Sequence, residues 1–232
     1  MAHIWAKIVS NYRTSFDQRE SDDFYTRFIS RPIAAVLVIL LAYLQVSPNL
    51  VTLISLGIHA INIVMLLRGQ FFLAGLGFIV VYILDCADGQ LAREKNQTSQ
   101  FGMHFDLTVD FTRETTFFTV LLYMAYPDKE GLLVQALALL VVVHSFYADW
   151  LRKQLHPTDL AKVSESPGAY TTFKKKLGIR FWNIGARHFV YTVCLLAERP
   201  DFIAYYVLTI GTVLTAQKFY RIFFKMLTAR VD

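Results

Sequence analysis

Four aspartates, Asp85, Asp88, Asp106 and Asp110, lie in the run DCADGQLAREKNQTSQFGMHFDLTVD, between apolar stretches long enough to cross a bilayer. A carboxylate near hydrocarbon is costly unless something offsets it, so such residues usually mark function. Any fold of this chain must therefore bring the four to a shared polar interior. Helical spacing allows it. Asp85 and Asp88 share one face as an i, i+3 pair, and Ala92 continues that stripe at i+7. Gly102, Asp106 and Asp110 form a second stripe, at i, i+4 and i+8. Successive antiparallel helices would set the two stripes face to face, and the small residues Gly89, Ala92 and Gly102 would let them approach closely.

Four anions so placed repel strongly at low dielectric. Divalent cations remove that repulsion, and an all-oxygen donor set favours Mg²⁺ or Mn²⁺. No cluster of His or Cys offers a zinc site. The plainer alternative is a set of buried aspartates paired with Arg93 and Arg113.

The rest of the chain fits a membrane protein. It is 55% hydrophobic and 18% charged, too little polar surface for a soluble domain of 232 residues. The net charge of +5 is spread around apolar spans rather than gathered on one face, which excludes a nucleic-acid-binding reading. Hydropathy predicts an all-α integral membrane protein with six transmembrane helices, at residues 49–67, 71–91, 102–126, 131–151, 179–197 and 202–224. Residues 33–46 are apolar but short, and read as an N-terminal interfacial helix started by Pro32. Residues 1–48 then form an N-terminal cytoplasmic segment and residues 49–232 the membrane domain. Three short connections hold only Arg68, Lys129 and Arg199, so the opposite side, with both termini and the aspartates, is predicted to be cytoplasmic. Cys86 and Cys194 fall in different spans and read as packing residues, not a disulfide.

The aspartate run closely resembles the signature of the CDP-alcohol phosphotransferase family. The order is Asp, two residues, Asp-Gly, two residues, Ala-Arg, eight residues, Gly, three residues, Asp, three residues, Asp. Asp85, Asp88, Gly89, Ala92, Arg93, Gly102, Asp106 and Asp110 match it without departure. The signature covers 26 residues; elsewhere the resemblance is one of hydropathy and a weaker motif.

The resemblance implies transfer of a substituted phosphate from a CDP-alcohol to the hydroxyl of a second alcohol, with release of CMP. It implies a metal site of Asp85, Asp88, Asp106 and Asp110, holding two Mg²⁺ or Mn²⁺ ions. A metal pair roughly 4 Å apart would neutralise a diphosphate and its leaving group. Asp110 would also be the catalytic base, and Gly89 and Arg93 would contact the nucleotide. The segment Pro48-Asn49-Leu50-Val51-Thr52 resembles a cytidine-diphosphate-binding stretch of the family, which makes Asn49 and Thr52 nucleotide candidates; Asn49 is equally a natural helix N-cap. Basic residues in the later helices of some members meet a phosphorylated acceptor. Here those are Arg187, Arg180 and Arg152, with Arg187 the foremost. Its alternatives are snorkelling to the interface or pairing with Asp149. His59, His104 and His144 read as helix residues with packing or local hydrogen bonds.

The expected donor is CDP-diacylglycerol or a similar lipid, the acceptor a small polar alcohol such as glycerol phosphate or an inositol phosphate, and the product a phospholipid. A soluble donor such as CDP-inositol is the enzymatic alternative, and a cation transporter or channel the alternative of another class. The aspartates cluster at one end of their spans, which disfavours an ion path. Relatives imply a homodimer in a bacterial-type inner or plasma membrane.

Overall fold

The computed structural model describes residues 5–7, 9–10, 23–125, 129–154 and 184–228. Arg180, Trp182 and Lys174 to Lys176 lie outside the described residues. Among those described, regular structure is helical throughout: α1 (Thr26–Tyr43), α2 (Pro48–Leu67), α3 (Phe71–Glu94), α4 (Gln100–Ala125), α5 (Lys129–Gln154), α6 (Ile184–Leu196) and α7, which begins at Asp201–Tyr206 and runs through a π-helical turn into Thr212–Thr228.

The helix starts and stops follow local chemistry. Ser47 caps α2, its hydroxyl accepting from Leu50 N at 3.3 Å, and Pro48 occupies the first turn, where its missing N–H costs nothing. This corrects the reading of Asn49 as the cap. Between α3 and α4 the chain reverses quickly. Asn96 takes a φ of 53°, and Gln97 N donates to Ala92 O at 2.8 Å, closing the last turn of α3. Ser99 then opens α4 by accepting from Gly102 N at 2.9 Å.

The N-terminal helix differs from expectation. Its helical residues begin upstream of Pro32, at Phe24, and end at Tyr43. Asp23 caps it, accepting from Thr26 N at 3.0 Å and from the Thr26 hydroxyl at 2.7 Å. The turn Thr26–Ser30 is π-helical. A wider turn there accommodates the proline ring that follows, so Pro32 lies inside the helix instead of opening it. The 18 residues Thr26–Tyr43 are long and apolar enough to cross a membrane, as are α2, α3 and the first 20 residues of α7. The partners of α1 on α3, which include Tyr82, Ala87, Gln90 and Leu91, all belong to the half that carries the aspartates.

Two apolar clusters hold the bundle. The larger one, around Phe78, Phe117, Phe118, Leu121 and Tyr191, packs α3, α4, α5, α6 and α7 together in the half away from Asp88 and Asp106. The smaller, of Ala34, Val38, Val51, Ala87 and Leu91, fixes α1 to α2 and α3. Many large apolar side chains, such as Leu53, Ile61, Leu73 and Val193, face outward, as a lipid-solvated surface requires.

The helix α2 packs extensively on both α3 and α4. That arrangement corrects the expectation that the two aspartate helices press on each other through small residues. A Cβ added at Gly102 would meet Ser99 and, at 3.5 Å, the Asn49 amide of α2; one added at Gly89 would meet only Arg93 Nη1, at 3.5 Å. The close approach of α3 lies lower, where a Cβ at Gly77 would collide with the buried Asn62 amide of α2. Gly77→Ala is therefore expected to destabilise the detergent-solubilised protein by about 1–3 kcal/mol, the usual range for overpacking. Gly57→Ala meets nothing within 4 Å and should hold or raise the melting temperature. Equal melting temperatures for the two variants would contradict this packing.

Candidate metal centre

Asp85, Asp88 and Asp106 each place a carboxylate oxygen within 4.8 Å of the others. Two turns of α3 and the first turns of α4 supply them, and the short reversal at 95–99 sets both segments at the same end of the bundle. Asp88 is buried; Asp85 and Asp106 are half-buried. The donor set is all carboxylate, at a spacing a single divalent ion can bridge, and so it fits a hard cation.

Asp110 enters differently. Its Oδ1 and the Oδ1 of Asp85 both contact Nη2 of Arg113, one turn further along α4. The pairing expected for Arg113 is thus present, and it sits beside the acidic group, not in place of it. Arg113 Nη1 donates to Ser55 Oγ of α2 at 3.1 Å, and Ser55 Oγ donates to Thr52 O at 2.7 Å. Thr52 in turn donates its hydroxyl to Asp88 Oδ2 at 2.5 Å. A continuous chain of polar contacts therefore runs from Asp110 through α2 to Asp88.

The remaining candidates divide. Arg93 lies with Nη1 over Gly89, and the space beside Gly89 is otherwise open, as close approach of a ligand would need. Asn49 is exposed at the start of α2 and faces Gly102. Thr52 is buried against Asp88, which makes it a partner of the carboxylate before it is anything else. Arg187 is drawn inward instead of snorkelling to the interface. It is 1% exposed, with Nε 3.1 Å from Glu114 Oε1 and its guanidinium 5.3 Å from the Phe146 ring centre. Arg152 belongs to α5, and Arg180 lies outside the described residues.

Sequence reasoning did not single out Ser55, Glu114 or Tyr82. Glu114 carries the one available signal, since it follows Asp110 at i+4 on the same face. A small cavity beneath Asp110 is lined by Arg113, Glu114, His59 and His188. His59 Nε2 lies 3.0 Å from Thr116 Oγ1, and His144 Nδ1 lies 2.7 Å from Leu140 O, the local bonding expected of helix histidines.

Residues 45–215 match the family described as CDP-alcohol phosphatidyltransferase. An uncharacterized protein of Aquifex aeolicus is 37% identical over 98 residues, 41% of this chain and 50% of that protein. A phosphatidylinositol phosphate synthase of Streptomyces avermitilis is 35% identical over 88 residues, 38% of this chain and 34% of that protein. The chain thus spans half or less of the length of these relatives. In structure it resembles the Mycobacterium tuberculosis phosphatidylinositol phosphate synthase solved with CDP-DAG bound, with a TM-score of 0.59 at 16% identity over 83% of this chain and 92% of that one; at that identity the likeness is one of fold.

Because Thr52 bonds Asp88 directly, Thr52→Val should weaken Mn²⁺ binding by about 10–100-fold, the usual effect of losing a partner of a metal-binding carboxylate. The isosteric change keeps the packing. Titration of Mn²⁺ followed by electron paramagnetic resonance measures it. Unchanged Mn²⁺ affinity with a raised KM for a nucleotide donor would instead make Thr52 a nucleotide contact.

Proposed function

This chain belongs to the CDP-alcohol phosphatidyltransferase family, and from that premise we propose that it is a phospholipid-synthesising enzyme. It transfers the substituted phosphate of CDP-diacylglycerol, or a similar lipid, to the hydroxyl of a small polar alcohol of the glycerol phosphate or inositol phosphate type, and releases CMP. The observation that carries this reading is the convergence of Asp85, Asp88 and Asp106 within 4.8 Å, next to the open space at Gly89. The Streptomyces and Mycobacterium proteins named above favour an inositol phosphate among the acceptors.

Asp85, Asp88 and Asp106, with Asp110 beside them, would hold Mg²⁺ or Mn²⁺. The bound cations supply charge neutralisation for the donor diphosphate and for departing CMP. The chain's own residues do the rest. Gly89 leaves room for the cytidine diphosphate, and Arg93, whose side chain lies over it, meets the phosphates. The acceptor oxygen forms its bond to phosphorus, the phosphoanhydride bond to CMP breaks, and the acceptor proton passes to an oxygen of Asp110. Arg113 holds that carboxylate in place. Cations of the later helices, Arg187 with Arg152 and Arg180, draw in the acceptor phosphate. The helices form six spans with a juxtamembrane α1, both termini and the aspartates face the cytoplasm, and two copies pair.

Purified protein with Mg²⁺ and CDP-diacylglycerol should release CMP with a suitable acceptor, and EDTA should abolish the release. Asp110→Asn should still bind donor while turnover falls by about 10²–10⁴-fold, as for a lost general base. A near-normal rate in that variant at saturating Mg²⁺ would remove Asp110 from this role. A cation transporter would produce no CMP at all.

Topology has its own test. A cysteine placed at Asn96 should react only with reagent on the cytoplasmic side, and one at Asp128 only from outside. The reverse pattern would overturn the orientation.

A further inference from the structure

Three of the four aspartates form one group, and the fourth lies against its edge, sharing a guanidinium with Asp85. Asp85, Asp88 and Asp106 converge within 4.8 Å. Asp110 lies against Asp85, and Arg113 joins the two, its single nitrogen Nη2 touching Oδ1 of both carboxylates. That nitrogen brings positive charge to both carboxylates at once. Arg113 does not lose its charge in a protein. It is also anchored, buried in the bundle with Nη1 on Ser55 Oγ at 3.1 Å.

We propose that Arg113 is a built-in second cation: with no donor bound, the protein holds one divalent ion, on Asp85, Asp88 and Asp106, and the Arg113 guanidinium fills the position between Asp85 and Asp110. The inference rests on the metal-dependent reading above and refines it. Asp85 can serve both partners, because a carboxylate has two oxygens and Arg113 takes only Oδ1. Charge balance points the same way. Four carboxylates are offset by one divalent ion together with Arg113 and Arg93, which lies beside Gly89. A second ion would leave two positive charges in excess in a low-dielectric site, until a donor diphosphate arrives to meet them. Arg113 is therefore a positioning residue. It keeps Asp110 close to the ion without making it a ligand in the resting protein.

The test counts ions directly. Mn²⁺ is titrated into purified, donor-free protein, and free Mn²⁺ is followed by electron paramagnetic resonance. One ion per chain is expected for the wild type and for Arg113→Lys, and two for Arg113→Gln. Two ions in the wild type, or one in a folded Arg113→Gln, would overturn the proposal. Should the Gln variant not fold, Asp110→Asn decides. The proposal expects it to bind one ion with affinity within a few-fold of wild type, while Asp106→Asn weakens binding by about tenfold or more. Weakened binding in Asp110→Asn equal to that in Asp106→Asn would also overturn it. CMP release assayed in parallel separates the two readings. Two ions with release intact sinks the role of Arg113 alone, and one ion without metal-dependent release supports that role while sinking the enzymatic reading.

Discussion

Arg113 reaches across from α4 and places one guanidinium between Asp85 of α3 and Asp110 of its own helix, with its other terminal nitrogen on Ser55 of α2. Three apolar helices are joined at that one buried cation. Acidic groups inside such a bundle are tolerable only when the interior supplies offsetting charge or hydrogen bonds, because the surrounding hydrocarbon supplies none. The rest of the polar interior follows from this need. Asp88 takes the Thr52 hydroxyl, and Ser55 closes the path between them. Few of these groups could be changed singly without leaving a neighbour exposed to an apolar surrounding.

The helix α2 carries more of this than its sequence announces. Its apolar residues read simply as a span, and Thr52 and Ser55 look like incidental small polar residues. Yet they face inward, buried, one turn apart, and each serves a different aspartate helix. The lower half of α2 repeats the pattern: Asn62 lies in the space left by Gly77, and His59 faces Thr116. The stripe of polar and small residues on α2 is what lets α3 and α4 present carboxylates to a common point without packing tightly on each other.

Much of the fold was legible because bilayer physics constrains it so strongly. Apolar length located α2 and α3 within a few residues, and i, i+4 spacing placed Asp106 and Asp110 on one face. The eight-position signature singles out the acidic group from residue order and interval. What was not legible came from competing local caps as well as from partners far apart in the chain. The start of α1 is set by Asp23 bonding Thr26, a local cap overshadowed by the proline signal at Pro32, and by Tyr82 of α3 bonding Thr26 at 2.6 Å. Ser47 outcompeted Asn49 as the cap because Pro48 fits the first helical position, which puts Asn49 a residue too late. The glycines of the signature were expected to bring two helices together; at Gly89 the structure leaves open space instead, a distinction that spacing alone does not carry.

Arg187 and Glu114 show how a second buried ion pair complicates the reading of any acceptor site. Glu114 lies one turn beyond Asp110, at the same cavity, and its carboxylate is met by Arg187 and, at 3.5 Å, by the Tyr191 hydroxyl. Removing one member of a buried pair costs about 3–5 kcal/mol, because the other is left charged in an apolar surrounding. An inactive Arg187→Ala protein would therefore be explained by disturbed packing as readily as by a lost substrate contact. The geometry also limits how Arg187 can act. For its guanidinium to hold an acceptor phosphate, it must keep Glu114 while offering a free edge, or give Glu114 up to another donor. Lys218, whose ammonium lies 3.3 Å from Ser145 Oγ, and Arg187 Nη1, 3.4 Å from the same oxygen, put two cations around one hydroxyl at this level of the bundle. With Lys218 near enough to share the negative charge, Glu114 need not bind Arg187 alone. Charge at this level of the bundle is thus shared between a carboxylate and two cations instead of being held in one pair.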